Sequence, residues 1–277
     1  MKFTNRMMGL ALAAAAATGL ALPASAQSTT QGLSSESVIE TIKQDGVIRI
    51  GLSLFVPWSM RDKNGELIGF ELDVGRQLAE DMGVEVEFVP TSWDGIIPAL
   101  VSGNYDVIIS GMSVTAQRNL TVNFTNPYAY SGLAILANTS MTEGMTLEDF
   151  NSPEVIFATR RGATPAVVIA KSFPDATLLL FDEDGASTQE VLNGNAHASM
   201  ASQPTPNREA ARNPEILSVP FENLYDPRGE AFALRKGDPD ALNYFNNWIA
   251  QQWRSGWLEE RHDYWFATED WADQVAQ

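Results

Sequence analysis

The residues best suited to chemistry lie between Asp106 and Arg118, where the chain reads Asp-Val-Ile-Ile-Ser-Gly-Met-Ser-Val-Thr-Ala-Gln-Arg. A β-branched apolar run passes into small and hydroxyl residues, and an arginine stands three positions after Thr115, where a short helical turn can begin. Those are the parts of an anion cradle. Ser110, Ser113 and Thr115 bring hydroxyls, Gly111 leaves the backbone approachable, and Arg118 presents a planar fork that matches a carboxylate. Taken locally, the same residues equally describe a strand, a capped turn and a surface arginine.

Two further places carry candidate ligand residues. Arg160-Arg161-Gly162-Ala163-Thr164-Pro165 follows a short apolar strand, and Thr164 is expected to be the N-cap of a helix with Pro165 at its first position. That is either simple capping or a second helix terminus offering free N–H groups and a hydroxyl to an anion. Phe55, in an apolar loop broken by Pro57, and Trp93, at the entry of a helix, either pack on the core or wall a ligand.

These residues need elements to hold them. Val47 to Leu52 and Asp106 to Ser110 read as strands, and Val84, Val86 and Phe88 alternate with charged residues as a third. Phe70, Val74, Leu78 and Met82 recur every fourth residue, a helix ended by Gly83, and Ser92 to Leu100 gives another before Gly103. Strand, helix, strand, helix, strand calls for a parallel sheet with right-handed crossovers, whose ligands sit beyond the carboxyl ends of the strands. Phe55, Trp93 and the cradle all lie there. From Leu133 the pattern restarts, with strands at Leu133 to Ala137, Val155 to Ala158, Thr177 to Phe181 and Ala196 to Ala201, and helices at Ala166 to Lys171 and Ser187 to Leu192. A second α/β lobe of similar plan is implied. The turn Asp62 to Glu66 lacks the later ligands of a calcium loop and reads as a plain turn.

Composition narrows the function. Residues 1–26 read as a signal peptide: Lys2 and Arg6, an apolar core from Gly9 to Leu22, and Ala24-Ser25-Ala26 as cleavage site. There is no cysteine, which excludes disulfides, thiolate metal sites, a catalytic thiol and a cysteine-linked lipid. An exported soluble chain without such an anchor is expected in a bacterial periplasm. With 18 basic and 35 acidic residues the net charge is −17, and loss of the leader makes it more negative, so nucleic acid is not an expected partner.

The chain resembles the amino-acid-type extracellular solute-binding proteins (family 3) of bacterial ABC importers. The likeness rests on Gly69-Phe70-Glu71-Leu72-Asp73-Val74, on Trp93 to Leu100 with Gly103-Asn104-Tyr105-Asp106, on Thr115-x-x-Arg118, on Phe124-x-x-Pro127-Tyr128 and on Leu234-Arg235-Lys236-Gly237-Asp238-Pro239. It implies an α/β two-lobed periplasmic-binding-protein fold of type II with two crossover hinge strands. Lobe 1 would be 27–131 plus 226–277, a discontinuous unit, and lobe 2 would be 132–225. By position, Arg118 grips a ligand carboxylate with help from Ser113, Thr164 closes from lobe 2, Ser110 and Gly111 receive an α-ammonium, and Phe55 and Trp93 sandwich the side chain.

One position departs from the family pattern. An aspartate of lobe 2 that pairs with the α-ammonium aligns with Ser202, and a hydroxyl does not replace a buried carboxylate. Either the ligand lacks a free primary ammonium or another acid, Glu222 or Asp226, reaches it. Ser53 replaces an aspartate of cation-binding relatives, and Arg160 aligns with a cleft-facing position, so a polar or acidic amino acid or an amino-acid-like carboxylate is expected. The resemblance further implies a monomer that docks on an ABC permease of the inner membrane, with no cofactor and no metal. The rival it implies is a periplasmic dehydratase on the same fold, which needs an acid or base from a chain whose only histidines are His197 and His262. A sensory role through a partner stays open.

Overall fold

The computed structural model describes residues 36–222 and 225–275, the side chain at position 184 excepted, so the expected signal peptide lies outside the described residues. Strands run β1 Val47–Leu52, β2 Met60–Arg61, β3 Leu67–Ile68, β4 Glu85–Pro90, β5 Val107–Ile108, β6 Asn123–Asn138, β7 Ile156–Arg160, β8 Thr177–Phe181, β9 Ala198–Ser202, β10 Leu217–Ser218 and β11 Tyr225–Leu234. β2 and β3 form a separate hairpin around Asp62, whose Oδ1 accepts from the Asn64 and Glu66 N–H groups.

The other strands form one curled sheet in the order β4-β1-β5-β11-β6-β9-β7-β8, with β10 pairing β6. β1 is parallel to β4 and β5, and β7 is parallel to β8 and β9. Two parallel halves are therefore joined through β6 and β11, which pair antiparallel with each other and cross between the lobes. Each half has its own core: Ile48, Ile50, Phe70, Val74, Leu78 and Phe245 in the first, Leu133, Ile135, Phe150, Phe157 and Ile169 in the second.

Helix boundaries follow local chemistry. The helix Phe70–Met82 buries Phe70, Val74 and Leu78 on one face, and Gly83 ends it at φ 69°, its N–H bonding to the Ala79 and Glu80 carbonyls. Asp238 caps Pro239–Ser255 by accepting from the Ala241 N–H at 2.9 Å. The same carboxylate accepts from Ser37 Oγ and the Val38 N–H, tying the first described helix, Val38–Asp45, to the C-terminal one. Among the described residues no helix is long and apolar enough to cross a membrane.

Three local expectations are corrected. Leu133 to Ala137 does not begin a new strand: it is the far half of β6, one strand of 16 residues that starts at Asn123. The helix expected over Ser92 to Leu100 is shorter, Ile96–Val101, because Ser92 to Gly95 close a turn (Gly95 N–H to Ser92 O, 3.1 Å), which leaves Trp93 outside it. Thr164 is not an N-cap. The helix runs Thr164–Ser172, Ala163 stands at the cap with extended backbone, and no side chain caps it, so the Thr164 hydroxyl is not used there.

Candidate functional site

The carboxyl ends of β1, β5, β7 and β9 face one another across the gap between the lobes, and a cavity of about 50 Å³ lies there. That is room for a few water molecules. The first lobe contributes Phe55, Trp93, Gly111 and Ser113, and the second Thr159, Arg160, Ala163, Thr164, Pro165, Ser187, Met200, Ala201, Ser202 and Thr205. Seven residues expected from the sequence thus share one wall: Phe55, Trp93, Gly111, Ser113, Arg160, Thr164 and Ser202.

Phe55 is held in place from behind. Its ring stacks on buried Trp58 at 5.5 Å, and Gly111 lies so close that a Cβ there would come within 2.5 Å of Phe55 Cζ. Gly111 also has φ +50°, a left-handed conformation that disfavours any side chain. Its N–H donates to the Tyr128 hydroxyl (2.9 Å), which donates in turn to Glu71 Oε1 (2.8 Å). Glu71 is wholly enclosed, and burial pushes its carboxyl up to about 8 although the Tyr128 and Ser59 hydroxyls oppose this. The side chain is therefore a neutral acid under the cavity floor near neutral pH.

Hydrogen bonds cross between the lobes around the cavity. Trp93 Nε1 and Arg118 Nη2 both donate to the Gly162 carbonyl, at 3.1 and 3.4 Å. Arg160 Nη2 donates to Ser53 Oγ at 2.5 Å, and Thr205 Oγ1 to the Val56 carbonyl at 2.9 Å. Both guanidinium carbons lie over the Trp93 ring, Arg118 at 5.3 Å and Arg160 at 5.4 Å from its centroid.

Two expected ligand residues stand off the cavity wall. Ser110 lies behind it, with no exposed surface and its Oγ accepting from the Ser53 N–H at 2.8 Å, because the backbone of this stretch is turned toward β1. Arg118 lines an adjoining cavity of about 420 Å³ that shares Trp93, Ala163 and Thr164 with the first. Its Nη1 also donates to the Ser113 carbonyl at 3.0 Å, and burial, with Arg228 nearby, lowers its pKa to about 10.

The two acids offered in place of an aspartate at Ser202 do not reach the cavity. Glu222 is exposed, and Asp226, at φ 45° on β11, turns its carboxylate to Arg228. Among the described residues no Asp, Glu or His lines the central cavity. His197 accepts from the Ile156 N–H through Nδ1, and His262 sits against Phe70 and Phe266. Neither is poised as a base there, and no cluster of metal-ligating side chains occurs among the described residues.

Sequence reasoning missed Thr159, Ser187 and Thr205. Thr159 and Ser187 had a signal, since Thr159 lies at the carboxyl end of β7 and Ser187 in the first turn of the helix that follows β8. Nothing local marks Thr205, whose partner is 149 residues away.

The sequence model of bacterial extracellular solute-binding proteins, family 3, matches residues 48–268. The L-cystine-binding protein TcyJ of Escherichia coli K12 is 26% identical over 244 residues, 87% of this chain and 90% of that protein. Cyclohexadienyl dehydratase of Pseudomonas aeruginosa is 27% identical over 248 residues, 89% of this chain and 91% of that protein. The crystal structure of an ancestral amino acid-binding protein, a precursor of cyclohexadienyl dehydratase, superposes with a TM-score of 0.75 at 36% identity, covering 83% of this chain and 99% of that one.

Proposed function

The chain belongs to the bacterial extracellular solute-binding proteins of family 3, and on that premise we propose that it is the periplasmic binding component of an ABC importer. It captures a polar or acidic amino acid, or an amino-acid-like carboxylate, by closure of its two lobes, and the closed form docks on an inner-membrane permease. The lobes divide near residues 131 and 226, on β6 and β11, and the mature chain begins after Ala26. Arg118 with Ser113, Arg160 and Thr164 take the anionic part of the ligand, and Phe55 and Trp93 its carbon skeleton.

One observation carries this reading: donors from both lobes converge on a single cavity, and the contacts that close it, Trp93 and Arg118 on Gly162 and Arg160 on Ser53, are made across the gap. A ligand favours closure only through contacts that differ between open and closed forms, and groups contributed by opposite lobes provide that difference. Ser53 holds the protein's own guanidinium at 2.5 Å, which disfavours a cationic ligand side chain there.

The dehydratase reading is motivated by the relative of that activity. It is the weaker one, because hydroxyls, arginine and apolar groups line the cavity and no carboxyl or imidazole among the described residues does. A thermal-shift screen against amino acids and small carboxylates, followed by mass spectrometry of each binder after overnight incubation, tests both. Raised melting with the compound intact supports capture. Loss of a cyclic acid at catalytic rates would refute it.

A further inference from the structure

β6 and β11, the strands that cross between the lobes, carry two enclosed charged side chains on one face, Glu230 and Arg228. Arg228 stands opposite Ser131 and Glu230 opposite Ala129, so these side chains share one side of the ribbon, while Gly229 and Tyr130 take the other. The outer side is that of Tyr130, which packs on Trp253 of the helix Pro239–Ser255 and is 63% exposed. The inner side is that of Glu230. Its backbone bridges to Ser113, which lines the central cavity, and the charge of its neighbour Arg228 bears on Arg118.

The Glu230 carboxyl is poorly served in this position. Its Oε1 accepts from the Ser131 hydroxyl at 2.6 Å, strand to strand, but Oε2 is enclosed and has no hydrogen-bond partner among the described residues. Arg228 does not meet it: Nη2 donates to Asp226, and Nη1 is enclosed and equally without a partner. Two further ionisable groups lie within reach of the Glu230 charge, Glu71 from the helix Phe70–Met82 and Tyr128 on β6, and neither is a cation. An enclosed carboxylate with an unmet oxygen is costly, whereas the neutral acid is much less so, and water serves either form once the inner side of the ribbon is wetted. Burial accordingly pushes the Glu230 carboxyl up to about 7, although the Ser131 hydroxyl and the Arg228 charge oppose this.

Resting on the reading that the two lobes part and close, we infer that Glu230 is a proton-sensitive stop on the hinge: the lobes close over it readily as a neutral acid and resist closing over it as a carboxylate. Closing then takes up a proton. A carboxyl that titrates at 4.5 when hydrated and about 7 when enclosed favours the closed form fully below 4.5, and that advantage is lost as pH rises toward 7. A solute that needs closure is therefore held more tightly in an acidic medium than in a neutral one.

The test needs no ligand. Spin labels at Val101→Cys and Val167→Cys, exposed positions on helices of opposite lobes, read the inter-lobe distance in the ligand-free protein by double electron–electron resonance at pH 5 and pH 7.5. The ratio of closed to open molecules is expected to fall by roughly tenfold or more over that interval. Glu230→Gln keeps an acceptor for Ser131 and cannot ionise, so its ratio should be the same at both pH values, with folding checked by the melting curve. Ser131→Ala removes a group that holds the carboxyl down and should carry the transition to higher pH, a second arm that stands if the glutamine variant does not fold. A parent ratio that ignores pH, the parent's pH dependence in a folded Glu230→Gln protein, or an unmoved transition in Ser131→Ala overturns the inference and leaves capture by closure intact. One unchanging distance in every protein at both pH values removes the closing movement, and the proposed function falls with it.

Discussion

Replacing Thr205 with valine isolates one bond that exists only while the lobes meet. Thr205 Oγ1 donates to the Val56 carbonyl at 2.9 Å, and Thr205 is buried at the edge of the cavity. Valine keeps the shape and removes the hydroxyl, so the carbonyl loses its donor in the closed form. Once the lobes part, water serves that carbonyl in both proteins. A neutral bond of this kind contributes about 1 kcal/mol net, and a carbonyl enclosed without a donor costs roughly 1–3 kcal/mol. The contact is only partly buried, so the lower figure applies, about a fivefold drop in the closing equilibrium. The absence of cysteine makes the measurement clean. Spin labels at Val101→Cys and Val167→Cys, 53% and 66% exposed on helices of opposite lobes, report the inter-lobe distance by double electron–electron resonance. Thr205→Val should populate longer distances and weaken any ligand that needs closure by the same factor, with global stability within about 0.5 kcal/mol of the parent. An unchanged distance distribution together with unchanged affinity would refute the assignment of this bond to closure.

Other expectations follow from the same geometry. Arg118→Ala should weaken a bound carboxylate by roughly 2–5 kcal/mol, since it strands an enclosed charge, and retained affinity in titration calorimetry removes Arg118 from the site. Ser202→Asp should strengthen binding of ordinary α-amino acids by supplying a charge partner for the ammonium, and no gain places the ammonium elsewhere. Trp93 should change its fluorescence on ligand binding, read by comparison with Trp93→Phe, and an identical response in the two proteins takes its ring out of the cleft. Glu71 adds a pH dependence: its carboxyl is raised by burial from 4.5 to about 8, so its contribution to stability is fully present below about 4.5 and is lost as pH rises toward 8. The slope is about 1.4 kcal/mol per pH unit across that window. Denaturant unfolding of the parent and Glu71→Gln at pH 5 and pH 8 should show the parent's advantage shrinking with pH, and a constant difference contradicts a protonated Glu71.

Much of the scaffold was legible because its signals are local. Val47–Leu52 and Thr177–Phe181 appear as read, since β-branched and leucine runs between turn residues leave little choice of conformation. The helix from Phe70 stops at Gly83 because only glycine enters the left-handed region there without strain. Thr164 misled because its type fits a cap, but Ala163 takes the extended backbone of the cap position and the helix begins at Thr164, one residue earlier than expected. Leu133 was read as a beginning because β6 changes environment midway, from the crossing into the second core, and a local window sees two strands where the chain makes one.

The amino-acid order alone determined the alternation of strands and helices, and with it the end of each sheet where ligand-facing loops gather, because parallel strands all finish at the same edge of their sheet. Which loops of the two lobes would touch was decided only in three dimensions. Arg160 meets Ser53 across 107 residues, Arg118 meets the Gly162 carbonyl across 44, and Ser110, chosen for its hydroxyl, is turned inward to the Ser53 N–H. Partners so far apart share no periodicity or spacing rule, and they meet only because β6 and β11 carry one lobe over the other.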